Sequence, residues 1–451
     1  MRTRGSHLLI FFVALAALAA GLTVLLAKRS RSRVVSPVAA ATPDAPAPAR
    51  RSLPPLPLRA LSPRLKSLRE RAAESASRVR GLEWRGEVGM TELSGWEYGT
   101  RTKEIADVLG TDDLKGLSSL AVAGGMLPEG TDLASLAVSF TAATAGATYS
   151  PLDKQVLLVA ERGGQRDSGL LTHEFVHALQ DQHFDLLRMV LARPFSFDRE
   201  EAAFALVEGD AVSVERRATQ GDAWARKSVE DLTREEDARY AQYRKGIGAF
   251  FPPLLTETFI FRYRDGLHFV ETLRRARPAV SLDEVFRRPP QSSEQVLHPE
   301  KYLSGEPPRE VELDLEGFAD EGWRPTATTP LGEIGVRGLL LAGVGAEEAR
   351  RAAAGWGGDR SFVFEREGHA PLFVWRTLWD TPRDAQEFFR AYNQMLQRRA
   401  APGAAAQNES EREWREGASL TRLRLDGDAV TVVRAAESDA AEALQMAAQG
   451  R

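Results

Sequence analysis

The spacing of apolar and polar positions divides this chain into stretches of helical period and a few short stretches of strand character. Leu8 to Ala27 is an unbroken weakly polar-to-apolar run. Pro63 then opens a helical pattern over 64–79, with Leu65 and Leu68 on its apolar side. Residues 107–124 predict two helices parted by polar turn residues. Val138–Thr141 and Gln155–Ala160 have the β-branched, apolar character of strands, and Tyr149-Ser150-Pro151-Leu152-Asp153 between them reads as a turn. A short hairpin is therefore expected before the next helix. That helix starts near Gly169, after the polar, glycine-containing loop Glu161–Ser168, and runs to about His183.

Asp198-Arg199-Glu200-Glu201 opens a second apolar helix, Ala202–Val214, and 231–246 reads as a polar surface helix. Pro252-Pro253 starts a packed region, Leu254–Phe261, with Phe259 and Phe261 expected inside. Ser281-Leu282-Asp283-Glu284 caps a short helix, and Gly332–Gly345 reads as a longer apolar one. Ser361–Glu365 and Leu372–Thr377 predict antiparallel strands, and Thr381-Pro382-Arg383-Asp384 begins a helix ending near Leu396. Asp426-Gly427 inside Leu423–Val433 is the strongest hairpin signal, and a final short helix runs from Ser438. There is no internal repeat. The pattern predicts an α+β chain, mainly helical with small antiparallel sheets. Its expected parts are a leader (1–33), a Pro/Ala-rich linker (34–63), a main domain (64–398), and a low-complexity loop followed by a hairpin and short helix (399–451).

Composition narrows the chemistry. The 451 residues are 43% hydrophobic and 27% charged, with a formal net charge of −4. That is an ordinary globular balance, with no basic excess to bind nucleic acid. Cysteine is absent, which excludes disulfides, thiol catalysis and cysteine-ligated zinc. Arg2 and Arg4 precede the apolar run, and Lys28, Arg29, Arg31 and Arg33 follow it. Its length just spans a bilayer and is long for the core of a cleaved signal, so an uncleaved signal anchor is favoured over a signal peptide. Basic residues on both flanks leave orientation open. An exported, envelope-tethered domain is expected, or a secreted one if the leader is cleaved.

The informative chemistry is His173-Glu174-Phe175-Val176-His177. On a helix this spacing puts two imidazoles on one face, with a glutamate one step round that reaches the same water. Only 7 histidines occur in the chain, which makes a chance match uncommon. The ordinary alternative is two helix histidines paired by hydrogen bonds. A catalytic zinc takes three protein ligands and keeps one open position, so His173 and His177 need a third. His183 is displaced about 80° round the helix from His173, taking ~100° per residue. Glu208, in the otherwise apolar Leu206-Val207-Glu208-Gly209-Asp210-Ala211, is preferred, with Glu201 one heptad earlier in reserve. Glu174 is then the general base for water attack on a carbonyl. His298, His268, Tyr263 and Tyr149 are candidates to stabilise the oxyanion, and His298, in a polar loop before Pro299, is chosen as the site residue. Asp181 or Asp210 is expected to orient an imidazole, and Gln180 and Gln182 to brace the helix surface. Trp356-Gly357-Gly358-Asp359-Arg360 reads as a glycine-rich turn.

Thr172–Phe184, together with Leu206–Ala211, resembles the glutamate-type zinc metallopeptidases (gluzincins, peptidase MA-like). The likeness is greatest to a poorly characterised bacterial and archaeal group of such proteins. Glu294–Tyr302, Gly355–Arg360 and Val374–Asp380 extend the resemblance over about 65–395. It implies a mainly helical zincin fold with a small sheet, Zn²⁺ on His173, His177 and Glu208, and Glu174 as base. The chain departs from the pattern at Val212, where better-known members place an aspartate. The leading expectation is a zinc metallopeptidase acting on protein or peptide substrates. The alternatives are another zinc amide hydrolase acting on cell-wall peptides, or a catalytically silent metal-binding scaffold.

Overall fold

A computed structural model describes residues 53–449 other than 57–58, 163–167, 192–193, 248–250, 277–280 and 403–407. The leader, including Leu8–Ala27, and most of the linker lie outside the described residues. Among the described residues no helix is long and apolar enough to cross a membrane. The chain is α+β and mainly helical, with a three-stranded mixed sheet and a seven-stranded antiparallel one. The described residues divide into two compact units, one of those up to 115 and within 132–191, the other of 116–131 and those after 193.

In the first unit, α1 (Pro63–Arg80) is set by Ser62, whose hydroxyl accepts from Leu65 N at 3.3 Å, and is ended by Gly81 at φ 79°. Its apolar stripe of Leu65, Leu68, Ala72 and Ala76 is buried. α2 (Gly95–Leu109) carries a complete capping box between Ser94 and Glu97. The last linker residues are held against this unit. Arg101 Nη1 donates to Pro54 O at 2.7 Å, and Arg59 grips Glu97 at 2.6 and 2.9 Å.

The expected strand at Val138–Thr141 is instead part of a helix, α4 (Leu133–Thr144), which follows α3 (Asp112–Ala123). Asp132 starts α4 by accepting from Ala134 N and Ser135 N. The hairpin is formed by β2 (Ala147–Ser150) and β3 (Gln155–Val159), and β3 also pairs in parallel with β1 (Gly89–Leu93), giving the order β1-β3-β2. β2 is an edge strand and α5 (Ser168–Phe184) packs on it and on α1. Buried on nearly every face, α5 lacks an amphipathic stripe, as a central helix should.

In the second unit, Ser196 caps α6 (Phe197–Gln220), which is buried along most of its length and ends at Gly221. α7 (Val229–Ile247) and α8 (Pro253–Ile260) follow. A five-residue π turn, Phe261–Asp265, joins α8 to α9 (Gly266–Ala276). Gly209 and Gly266 let α6 and α9 touch backbone to backbone: a Cβ on Gly209 would lie 2.2 Å from Gly266 C.

The large sheet runs β4-β5-β6-β10-β9-β8-β7. Its strands are β4 (Arg324–Thr329), β5 (Trp356–Glu365), β6 (Leu372–Trp379), β7 (Ala401–Pro402), β8 (Glu411–Glu416), β9 (Ser419–Asp426) and β10 (Ala429–Ala436). One face, with Val363, Phe373, Trp375 and Val432, packs against α10 (Gly332–Leu340) and α11 (Pro382–Gln397). The other, with Phe362, Phe364, Val374 and Val433, packs against α12 (Glu437–Gln449). Cover on both faces explains why Leu372-Phe373-Val374-Trp375 is an uninterrupted apolar run. The C-terminal hairpin is thus part of the same sheet as β5 and β6.

Trp356-Gly357-Gly358-Asp359-Arg360 is the first half of β5 and not a turn. Gly358 leaves room for the Arg309 carbonyl, which would lie 2.1 Å from a Cβ there. The Asp359 carboxylate accepts from Leu331 N, Gly332 N and the indole N–H groups of Trp356 and Trp375 at 2.7–3.1 Å. It ties the start of α10 to two strands.

Candidate metal centre

The His-Glu-Phe-Val-His run lies in the middle of α5, and His173, Glu174 and His177 are all buried. One turn apart on the same face, the two imidazoles meet at 4.7 Å between centroids with planes 79° apart. His177 Nδ1 lies 2.8 Å from Gln180 Oε1. An amide oxygen only accepts, so Nδ1 carries the proton and the lone pair is on Nε2, the atom a metal takes. Gln180 is fully buried and orients the ring, contrary to the expectation of a surface brace.

Asp181 does not orient the imidazole. Its carboxylate accepts from Tyr149 Oη at 2.7 Å, Lys154 Nζ at 2.6 Å and Leu186 N at 3.3 Å. Gln182 does brace the surface, accepting from Arg85 N at 2.8 Å and donating to Gly86 O at 3.0 Å. His183 Nε2 lies 2.8 Å from Glu83 O, away from His173 and His177 as its helical angle predicts. Glu174 Oε2 accepts the main-chain N–H of Tyr149 on the edge strand at 2.7 Å.

In the second unit Glu208 is buried in the middle of α6. Glu201, the reserve ligand, forms a buried ion pair with Arg262, which donates through Nε at 2.6 Å from the π turn. That guanidinium neutralises the Glu201 carboxylate. Asp210 is buried too.

The four oxyanion candidates have different partners. Tyr149 spends its hydroxyl on Asp181. His268 Nδ1 lies 2.9 Å from Thr233 Oγ1, and Tyr263 is buried against Phe259. His298 is part-exposed and bonds Glu333 Oε1 at 3.1 Å. Burial lowers its pKa, but the hydrogen bond and charge of Glu333 outweigh that and hold it up at about 9.

A second group of carboxylates, Glu294, Glu306 and Asp380, comes together in the second unit. Its cation is built in: Lys301 Nζ sits 2.6, 3.0 and 2.6 Å from the three. An ammonium at that point fills the place a metal would need.

Residues 322–445 match the model of a family described as a domain of unknown function (DUF8575). The match covers the large sheet and its helices, and stops short of both α5 and α6. No curated protein and no solved structure matches the chain.

Proposed function

We propose that this chain is an envelope-tethered zinc metallopeptidase that holds Zn²⁺ through His173, His177 and Glu208 and hydrolyses protein or peptide substrates. The supporting observation is the state of α5: two converging buried imidazoles, one with its tautomer set by Gln180, and a glutamate between them anchored by a strand. The donor set is chemically apt. Two imidazole nitrogens and one carboxylate oxygen, all on buried side chains, are ligands that zinc accepts without cysteine. When bound, zinc supplies Lewis acidity toward a water and a carbonyl oxygen.

The protein's own groups do the rest. The Tyr149 N–H fixes Glu174 Oε2, and a carboxylate also accepts through its second oxygen. Glu174 takes a proton from the attacking water and delivers it to the leaving amine. His298 supplies the cationic donor for the oxyanion. The Leu8–Ala27 run tethers the protein to the membrane. Zinc titration of the full chain against a chromophoric chelator tests the ligand set. We expect one high-affinity zinc, weakened in His177→Ala and Glu208→Gln by more than the roughly 10- to 100-fold typical of an orienting partner. A Glu208→Gln protein that binds zinc like the parent would remove Glu208 from the set.

A further inference from the structure

We propose that Tyr149 is the positioning residue for Glu174, acting through a clamp that its side chain makes with Asp181; the inference rests on Glu174 being the general base. β2 pairs with β3 on one side only, so alternate main-chain groups point away from the ladder. The Tyr149 N–H is one of these, and it donates to Glu174 Oε2 at 2.7 Å. A main-chain donor can be aimed only by placing its strand.

The side chain of the same residue does the placing. Tyr149 Oη donates to Asp181 Oδ2 at 2.7 Å, seven residues beyond Glu174 on α5. Seven residues are about two turns, or ~10 Å along the helix, and bring Asp181 back near the face of Glu174. One residue of the edge strand thus grips the helix at two points, through its backbone at the base and through its phenol two turns on. Neither contact alone would fix both the height and the tilt of the strand.

Asp181 is itself held from two other directions. Lys154 Nζ lies 2.6 Å from Oδ2, and Leu186 N donates to Oδ1 at 3.3 Å. Lys154 belongs to the turn between β2 and β3 and sits at φ 54°, a conformation that non-glycine residues rarely take. The turn is bent to deliver this lysine to the same carboxylate. Tyr149 and Asp181 are both buried, whereas the lysine is largely exposed. Burial, then the neighbouring carboxylate, raises the phenol's pKa, so it remains a donor over the working pH range.

Tyr149→Phe removes only the hydroxyl, and Asp181→Asn approaches the same link from the helix. Both are to be made in the full chain. In the metal-free proteins, amide hydrogen exchange at position 149 reads the bond to Glu174 directly. We expect it to accelerate about 10-fold in each variant, since it then opens with a loosened edge strand. In the zinc-loaded proteins, with fluorescein-labelled casein as substrate, kcat should fall roughly 10- to 100-fold, the cost of displacing a reacting group by about 1 Å. KM and zinc affinity should stay within about twofold, and the double variant should be no slower than the slower single one, because both remove one link. Unchanged exchange at position 149 in either variant would overturn the proposal. So would a loss of zinc affinity equal to the loss of kcat, which marks a general support of the helix. If the parent chain binds no zinc or cleaves nothing, the metallopeptidase reading fails, and the exchange comparison still decides the clamp.

Discussion

Gly209→Ala is the sharpest perturbation of the element that carries Glu208. The new Cβ would lie 2.2 Å from Gly266 C and Gly266 O and 2.8 Å from Leu267 N. Ordinary contact begins at 3.4 Å, so α6 and α9 would have to part by about 1.2 Å at their crossing. The obstructing atoms are backbone and have no rotamer to escape into. Overpacking of this kind costs about 1–3 kcal/mol, and rigid backbone on both sides puts it at the upper end. Alanine recovers ~1 kcal/mol of helix propensity. The net expectation is a loss of about 2 kcal/mol, or a fall in Tm of roughly 4–8 °C at ~2–4 °C per kcal/mol. Gly99→Ala in α2 is the control. Its new Cβ meets only Ala142 Cβ at 3.5 Å, so the same chemical change should be neutral or stabilising by up to ~1 kcal/mol. Calorimetric scans of the two variants beside the parent read both signs. A Gly209→Ala protein with the parent's Tm or higher would refute the close-packing argument.

Further outcomes follow from other buried groups. Gln180→Leu should leave the fold intact and weaken zinc binding about 10- to 100-fold, measured by chelator competition, because it releases the His177 tautomer. Asp198 is held by burial at a pKa of about 8, with the charges of Asp359 and Glu294 adding to the effect and Ser293 opposing it. Its folded form keeps a proton that the unfolded chain loses near pH 4, so its contribution to stability falls as pH rises from about 4 through 8. Urea unfolding at pH 6 and pH 9 should show a smaller difference in Asp198→Asn than in the parent. Asp359→Ala strands two main-chain and two indole N–H groups, at ~1–3 kcal/mol for each that stays dry. It should cost at least about 3 kcal/mol in urea unfolding and change the tryptophan fluorescence.

Strong periodicity and capping made much of the fold legible. α1, α11 and the β9–β10 hairpin carry proline, threonine or Asp-Gly signals at their ends, and these elements and α5 lie where the pattern puts them. Val138–Thr141 misled because a short apolar run has no period to separate helix from strand; the cap at Asp132 was the overlooked signal. β2 is four residues long and buried throughout, so it shows no alternation. The glycines of Trp356–Arg360 serve a neighbour, the Arg309 backbone, rather than a turn. At the candidate site, His173, Glu174 and His177 were fully readable. Gln180 and Asp181 were not, since both lie near the face of His177 and only partners distant in sequence decide between them. Tyr149 and Lys154 take Asp181, which leaves the ring to Gln180. Glu201 and Glu208 share a helical face, and the salt bridge from Glu201 to Arg262, 61 residues on, has no local sequence signal.

Elemental analysis paired with hydrolysis of a diverse peptide library, on the full chain and on Glu174→Gln, decides whether α5 carries a working zinc hydrolase site. The expected result is one zinc per chain in both proteins, with cleavage by the parent that disappears in the variant. A chain that takes up no zinc after reconstitution, or a Glu174→Gln protein that cleaves as fast as the parent, would contradict it.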